Sequence, residues 1–100
     1  MATITLTKNS LIAVIDTGVE GVKVNRRYSV LGDDGVDFNG HGTSVIQTIL
    51  RDNPYANIIS IKALEDDGSG SAKNIVNAIY LAIDKKAEII NLSAIGKISE

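Results

Sequence analysis

The sequence predicts an α/β fold, a parallel β-sheet with crossover helices, on three observations. Short apolar runs rich in branched residues recur along the chain, each ending in small or polar residues. Between them lie two longer segments with helical periodicity, and polar, glycine-rich turns separate the elements. Strand, loop, helix, strand, helix, strand is the order that builds parallel sheets, with right-handed crossovers as the expected connection.

The elements follow in order. Residues 1–9 are expected to form an extended N-terminal segment ahead of a single α/β unit spanning residues 1–100. Residues 11–15, Leu11-Ile12-Ala13-Val14-Ile15, are apolar throughout, the mark of a strand covered on both faces. A short strand is expected over residues 26–31. Gly32-Asp33-Asp34-Gly35 and Asn39-Gly40 are turn chemistry. From His41, apolar residues fall at Val45, Ile46, Ile49 and Leu50, one buried helical face, and Asp52-Asn53-Pro54 ends it. Residues 57–63 form a second strand, followed by a loop over residues 64–70. A second helix runs from Ser71, a candidate N-cap, to Lys86, with Ile75, Val76, Ile79 and Ile83 as its apolar stripe. Lys85 and Lys86 suit the negative end of its dipole, and residues 88–92 form the last strand.

Composition narrows the function classes. In 100 residues, 44% hydrophobic and 22% charged describe a globular chain that buries somewhat over about 60% of its unfolded surface. A net charge of −2 offers no basic field for nucleic acid, and no apolar run approaches a membrane span. The absence of cysteine excludes disulfides and thiolate metal sites. Met1-Ala2-Thr3-Ile4 lacks the form of a signal peptide, so a cytoplasmic location is expected.

In parallel sheets, ligands gather beyond the carboxyl ends of the strands. Asp16, Gly68-Ser69-Gly70 and Ser93 fall there, and His41 opens the helix after a strand-end loop. Each has a plainer reading. An aspartate after a strand is often a turn former, and a lone histidine is more often structural. Together they offer an imidazole as general base and a carboxylate to orient it and stabilise its imidazolium form. Gly42 would let the two backbones approach closely. Gly68-Ser69-Gly70 is a weak phosphate cradle, lacking the further glycine and lysine of those motifs. One histidine without ligand spacing argues against a metal site, and no cofactor is expected. Asp16-Thr17-Gly18 also resembles the triplet of retroviral-type aspartic proteases, which act as homodimers. That fold is nearly all β, and two helical segments speak against it.

The order of motifs carries more weight than any one of them. Asp16-Thr17-Gly18, His41-Gly42-Thr43-Ser44-Val45, Lys62-Ala63-Leu64 with Asp67-Gly68-Ser69-Gly70, and Ile90-Asn91-Leu92-Ser93 together resemble the N-terminal part of a subtilisin-like serine protease. The resemblance covers residues 10–96 in collinear order and implies an incomplete subtilisin-like fold. It implies that Asp16 corresponds to the triad aspartate and His41 to the general base. Gly68, Ser69 and Gly70 correspond to one wall of a cleft that holds an extended peptide or protein substrate as an added strand. Ser93, Ala94 and Ile95 correspond to the facing wall, and Leu64 and Ala72 border the pockets upstream of the cleaved bond.

The departures are equally specific. The family's serine lies in a Gly-Thr-Ser-x-Ala setting on a later helix, and none of the serines here has that context. The asparagine that supplies an oxyanion donor is also missing, so the chain alone is not expected to be a competent protease. Ile95 stands where the family usually has glycine, which puts the substrate register in doubt. The stretch between the His41 helix and Asn57 is too short for the calcium-binding loop of many members, so no metal is expected. Glu65-Asp66-Asp67 beside the cleft would favour basic substrate side chains. Ending the sheet at residues 88–92 would leave an apolar edge, which natural proteins rarely tolerate. A second polypeptide carrying the serine and the rest of the sheet is therefore the leading expectation. A catalytically inactive peptide-binding or regulatory module is the alternative, and an unrelated α/β protein with coincidental motifs is the third.

Overall fold

The apolar run that opens the α/β pattern becomes the centre of the sheet. In the computed structural model, which describes residues 10–93 and 98–99, strand β1 is Leu11–Asp16. It is followed by β2 (Arg26–Ser29), helix α1 (His41–Asp52), β3 (Asn57–Lys62), β4 (Gly70–Ser71), helix α2 (Ala72–Asp84), β5 (Ile89–Leu92) and β6 (Ile98–Ser99). Four strands form one parallel sheet in the order β2-β3-β1-β5. β1 is paired on both sides, with Ala13↔Ile59 and Ala13↔Ile90 in register.

Alternate side chains of β1 serve two cores. Ala13 and Ile15 pack with Ile59, Ile61 and Ala63 against Ala78 and Ala82 of α2. Ile12 and Val14 pack with Ile58 against Ile46 of α1. The helices thus cover opposite faces of the sheet, and β1 is buried on both, as its uniform apolarity requires.

This placement corrects one expectation. The connections β2→α1→β3 and β3→α2→β5 step in the same direction across the sheet, yet their helices lie on opposite faces. The two crossovers therefore have opposite hands and cannot both be right-handed. Without the short β2, the step β1→α1→β3 runs the other way, and one hand serves both helices. β2 is an outlying ribbon inserted into that first connection.

The second helix begins and ends as its sequence indicates, slightly shortened. Ser71 Oγ accepts from the Asn74 N–H at 3.1 Å, an N-cap. At the other end, Lys86 N–H donates to Ile83 O and Ala87 N–H to Ala82 O, with Lys86 at φ 65°. That is a Schellman closure with lysine where glycine is usual. The buried stripe differs from the expected one. Ile75, Ala78 and Ala82 face the sheet, while Val76 and Ile83 are 46% and 59% exposed. The small alanines let α2 sit close over β1 and β3, which turns Val76 and Ile83 to its flank.

The two sheet edges are unlike. β2 carries exposed Arg26 and Arg27, charges that discourage further strand pairing. β5 carries only Ile89, Ile90, Asn91 and Leu92.

The caps of α2 give a stability test by chemical denaturation. Ser71→Ala is expected to lower stability by about 1 kcal/mol through loss of the N-cap. Lys86→Gly is expected to raise it by about 0.5 kcal/mol, the relief of a left-handed backbone offset in part by unfolded-state entropy.

Candidate active site

The end of β1 fixes a carboxylate where water cannot reach it. Asp16 is 1% exposed, and its carbonyl oxygen accepts from the Ala63 and Leu64 N–H groups at 2.9 and 3.2 Å. Its Oδ1 accepts from the Thr17 N–H at 2.8 Å. His41, the first residue of α1, places Nδ1 2.9 and 3.0 Å from the two carboxylate oxygens. An ionised carboxylate only accepts, so this contact places the imidazole proton on Nδ1 and leaves Nε2 as the basic nitrogen of the neutral ring.

The start of α1 is seated by a second network. Gly40 at the N-cap has φ 102° and supplies no side-chain cap. Asp37 does that work from outside the helix. Its Oδ1 accepts from the N–H groups of Asn39 and Gly40, and its Oδ2 from the Thr43 N–H and hydroxyl. Thr17 Oγ1 donates to Asp37 Oδ1 at 2.8 Å and accepts from the Gly42 N–H at 3.0 Å. The neighbour of Asp16 is thereby bonded to the neighbour of His41. A Cβ on Gly42 would collide with the Gly18 carbonyl oxygen, so only glycine allows this approach. Burial pushes the Asp37 carboxyl up, but the bonds from Thr43, Gly40 and Thr17 outweigh it and hold it down at about 2.

No motif in the sequence marks Asp37. The available signal was an aspartate shortly ahead of a helix start, followed by Thr43.

The expected cleft residues are placed unevenly. Leu64 is fully buried, and a Cβ on Gly70 would stand 2.6 Å from its Cδ2. Leu64 thus lies beneath the loop as a support. Gly68 is buried at φ 84°, and Ser69 is half-buried, its hydroxyl donating to Asp67 Oδ1 at 2.6 Å. The Glu65 N–H donates to Ser69 O at 2.7 Å, closing the loop on itself. β4 pairs in parallel with β6, Gly70↔Ile98 and Ser71↔Ser99, so the loop is tied to a segment beyond Ser93. Ser93 is half-buried and donates to Asn91 Oδ1 at 3.1 Å. Ala94 and Ile95 lie outside the described residues.

His41 also lines a groove of about 240 Å³ with Ser44, Val45, Thr48, Ile49 and Asn91. Two larger hollows, one of about 430 Å³ lined by residues 22–25 with Leu50, Pro54 and Ala56 and one of about 420 Å³ along residues 19–27, contain neither Asp16 nor His41. Among the described residues, no group of three or more His, Asp or Glu side chains converges as a metal cage would.

A parallel α/β unit whose central strand ends in a buried carboxylate holding a helix-start imidazole has the build of the Asp–His side of a hydrolase relay. Comparison with known proteins gives the family. The chain matches the subtilase family (peptidase S8) over residues 7–97, and it belongs to that family. It is 32% identical over 111 residues to the major intracellular serine protease of Bacillus subtilis (strain 168), covering 89% of this chain and 35% of that protein. It is 36% identical over 100 residues to a thermophilic serine proteinase of Bacillus sp. (strain AK1), covering 82% and 25%. Thermitase of Thermoactinomyces vulgaris is 32% identical over 107 residues, covering 87% and 38%. The chain thus spans well under half the length of these relatives.

The Asp37 network makes stability depend on acid. Its carboxyl titrates at about 2 in the fold against about 3.9 in unfolded chains. The stability it contributes is full above the unfolded value and is lost as pH falls through about 2. Denaturant melts between pH 5 and 2 should show that loss, and Asp37→Asn should flatten part of it. The flattening is partial because Asp33 and Asp67 are also held below the usual carboxylate value. Gly42→Ala should cost about 1–3 kcal/mol in the same melts, the usual cost of overpacking a rigid contact.

Proposed function

We propose that this chain forms the Asp–His side of a subtilisin-like serine endopeptidase, with the nucleophilic serine supplied by a second polypeptide. The observation that carries the reading is the Asp16–His41 contact, made by a buried carboxylate to Nδ1 beside an open groove. In this reading the incoming serine hydroxyl attacks the scissile carbonyl while His41 Nε2 takes its proton. His41 then gives that proton to the leaving amine, and water releases the acyl group by the same route. Asp16 orients the ring and stabilises the imidazolium. Residues 68–70 and Ser93 flank an extended peptide. The chain alone, without nucleophile and oxyanion donor, is not competent.

The uncharged edge supports further structure beside β5. Lys85 Nζ lies 5.3 Å from the Tyr28 ring and Leu81 packs in the same core, so that flank of α2 faces β2. The opposite flank carries exposed Val76, Tyr80 and Ile83, and on β5 Ile90 and Leu92, in register with Ala13 and Ile15, point to the α2 side. These five side chains form an exposed apolar corner. A helix is about as wide as two strands are apart in sum. Filling the corner therefore takes a strand beside β5 and a helix beside α2, more than a single extended segment supplies. We place the assembly inside the cell, in keeping with two relatives named as intracellular serine proteases.

Purification under mild conditions, followed by a fluorophosphonate probe of activated serines, tests this. A distinct co-purifying band should be labelled, and His41→Ala should reduce its labelling about 10⁴-fold. A well-behaved monomer with no labelled partner would overturn the split enzyme. Peptide binding without labelling would then favour an inactive binding module.

A further inference from the structure

The buried lysine at the end of β3 is absorbed neither by the core nor by the relay. Lys62 lies opposite Asp16 in the register, and its side chain is 3% exposed. Its ammonium donates to Val36 O at 2.9 Å and to Asp66 Oδ1 at 3.0 Å, stands 3.7 Å from Asp33 Oδ2, and lies over the Phe38 ring at 5.3 Å. Desolvating an ammonium costs several kcal/mol, and an apolar side chain of similar length would fill the same space without that cost. What the ammonium adds is a link between two loops. Val36 precedes Asp37, which seats α1, and Asp66 belongs to the loop that ends in Gly68-Ser69-Gly70.

A second link runs in parallel. Asn39 Nδ2 donates to Asp66 O at 2.8 Å, while Asn39 Oδ1 accepts from the His41 N–H at 3.0 Å. Asp66 is therefore held at its side chain by Lys62 and at its backbone by Asn39. The Asp66 side chain is itself 60% exposed, so little else fixes it. From these contacts we infer that Lys62 is a positioning residue. With Asn39, it clamps Asp66 and so sets where the 65–70 wall stands relative to the Asp16–His41 pair. The inference deepens the peptidase reading and rests on it for the claim that this wall meets peptide.

The clamp separates wall placement from fold stability, which makes it testable on the full chain. Lys62→Met removes the donor, and Asp66→Ala removes the exposed acceptor without touching the core. Amide hydrogen exchange is read at Glu65 and Gly68, whose N–H groups close the loop. Affinity is read with an end-capped tetra-alanine peptide, following the amide signals of residues 68–70. Each variant should speed loop exchange at least tenfold and weaken the peptide about tenfold, and the double variant should be no worse than either single one. The Nδ1 proton signal of His41 and the exchange of β1 should stay as in the parent chain. Unchanged loop exchange in both single variants, additive losses in the double variant, or a parallel rise in β1 exchange would each overturn the clamp. If the parent chain binds no peptide, the cleft assignment fails on its own, and loop exchange still decides the clamp.

Discussion

A carboxylate at the end of the central strand, enclosed on all sides, must be satisfied or the strand end cannot stay buried. Asp16 is in that position, 1% exposed between two paired strands. Its partners are the Thr17 N–H and the His41 imidazole, and the second is reached only because α1 begins against the same strand end. Removing the imidazole would leave this buried carboxylate short of a hydrogen-bond donor, a cost of about 1–3 kcal/mol or more for a charged acceptor. That is a large share of the stability of a chain this size. Much of the local architecture serves that meeting: glycines at 18 and 42, Thr17 between two segments, and Asp37 under the helix start.

The strands and helices were legible where one physical rule governed many residues. The uniform apolarity of β1 announced two covered faces, and the spacing of Val45, Ile46, Ile49 and Leu50 announced α1 with its end at Asp52. Ser71 was readable as a cap because hydroxyl capping is a local rule. β4 and β6 were not readable: at two residues each they have no period, and their pairing joins segments far apart in sequence. The opposite hands of the crossovers were invisible for a similar reason, since the position of β2 is set by pairing with β3 and by no pattern of its own. Val76 and Ile83 misled because a stripe shows that residues are apolar, while the sheet decides how many strands lie beneath the helix.

The same distinction applies to the site. Asp16 and His41 stand at the ends of regular elements, and ends are what sequence patterns mark best. Asp37 and Lys62 act through networks whose members come from three or four segments, so no window of sequence contains the reason for either. Family resemblance points to Leu64 as a pocket border, yet its burial beneath Gly70 has no local sequence signal. Polar networks are thus the part of a small α/β unit least available to periodicity and propensity, although they orient the side chains of greatest chemical interest.

These networks also bear on how a relay could be divided between chains. Every recorded contact that orients the imidazole lies within residues 10–93: the carboxylate at Nδ1, Asn39 at its backbone N–H, and the Asp37 cap beneath the helix. The orientation of His41 is therefore set by this chain's own described residues. In the proposed assembly the partner would need to deliver only a hydroxyl to the groove side of the ring, along with the oxyanion donor. A division made through the nucleophile side leaves the buried charge and its partner in one chain. Separating Asp16 from His41 would instead strand a carboxylate in a nearly water-free site, so in any such assembly the two belong on one chain.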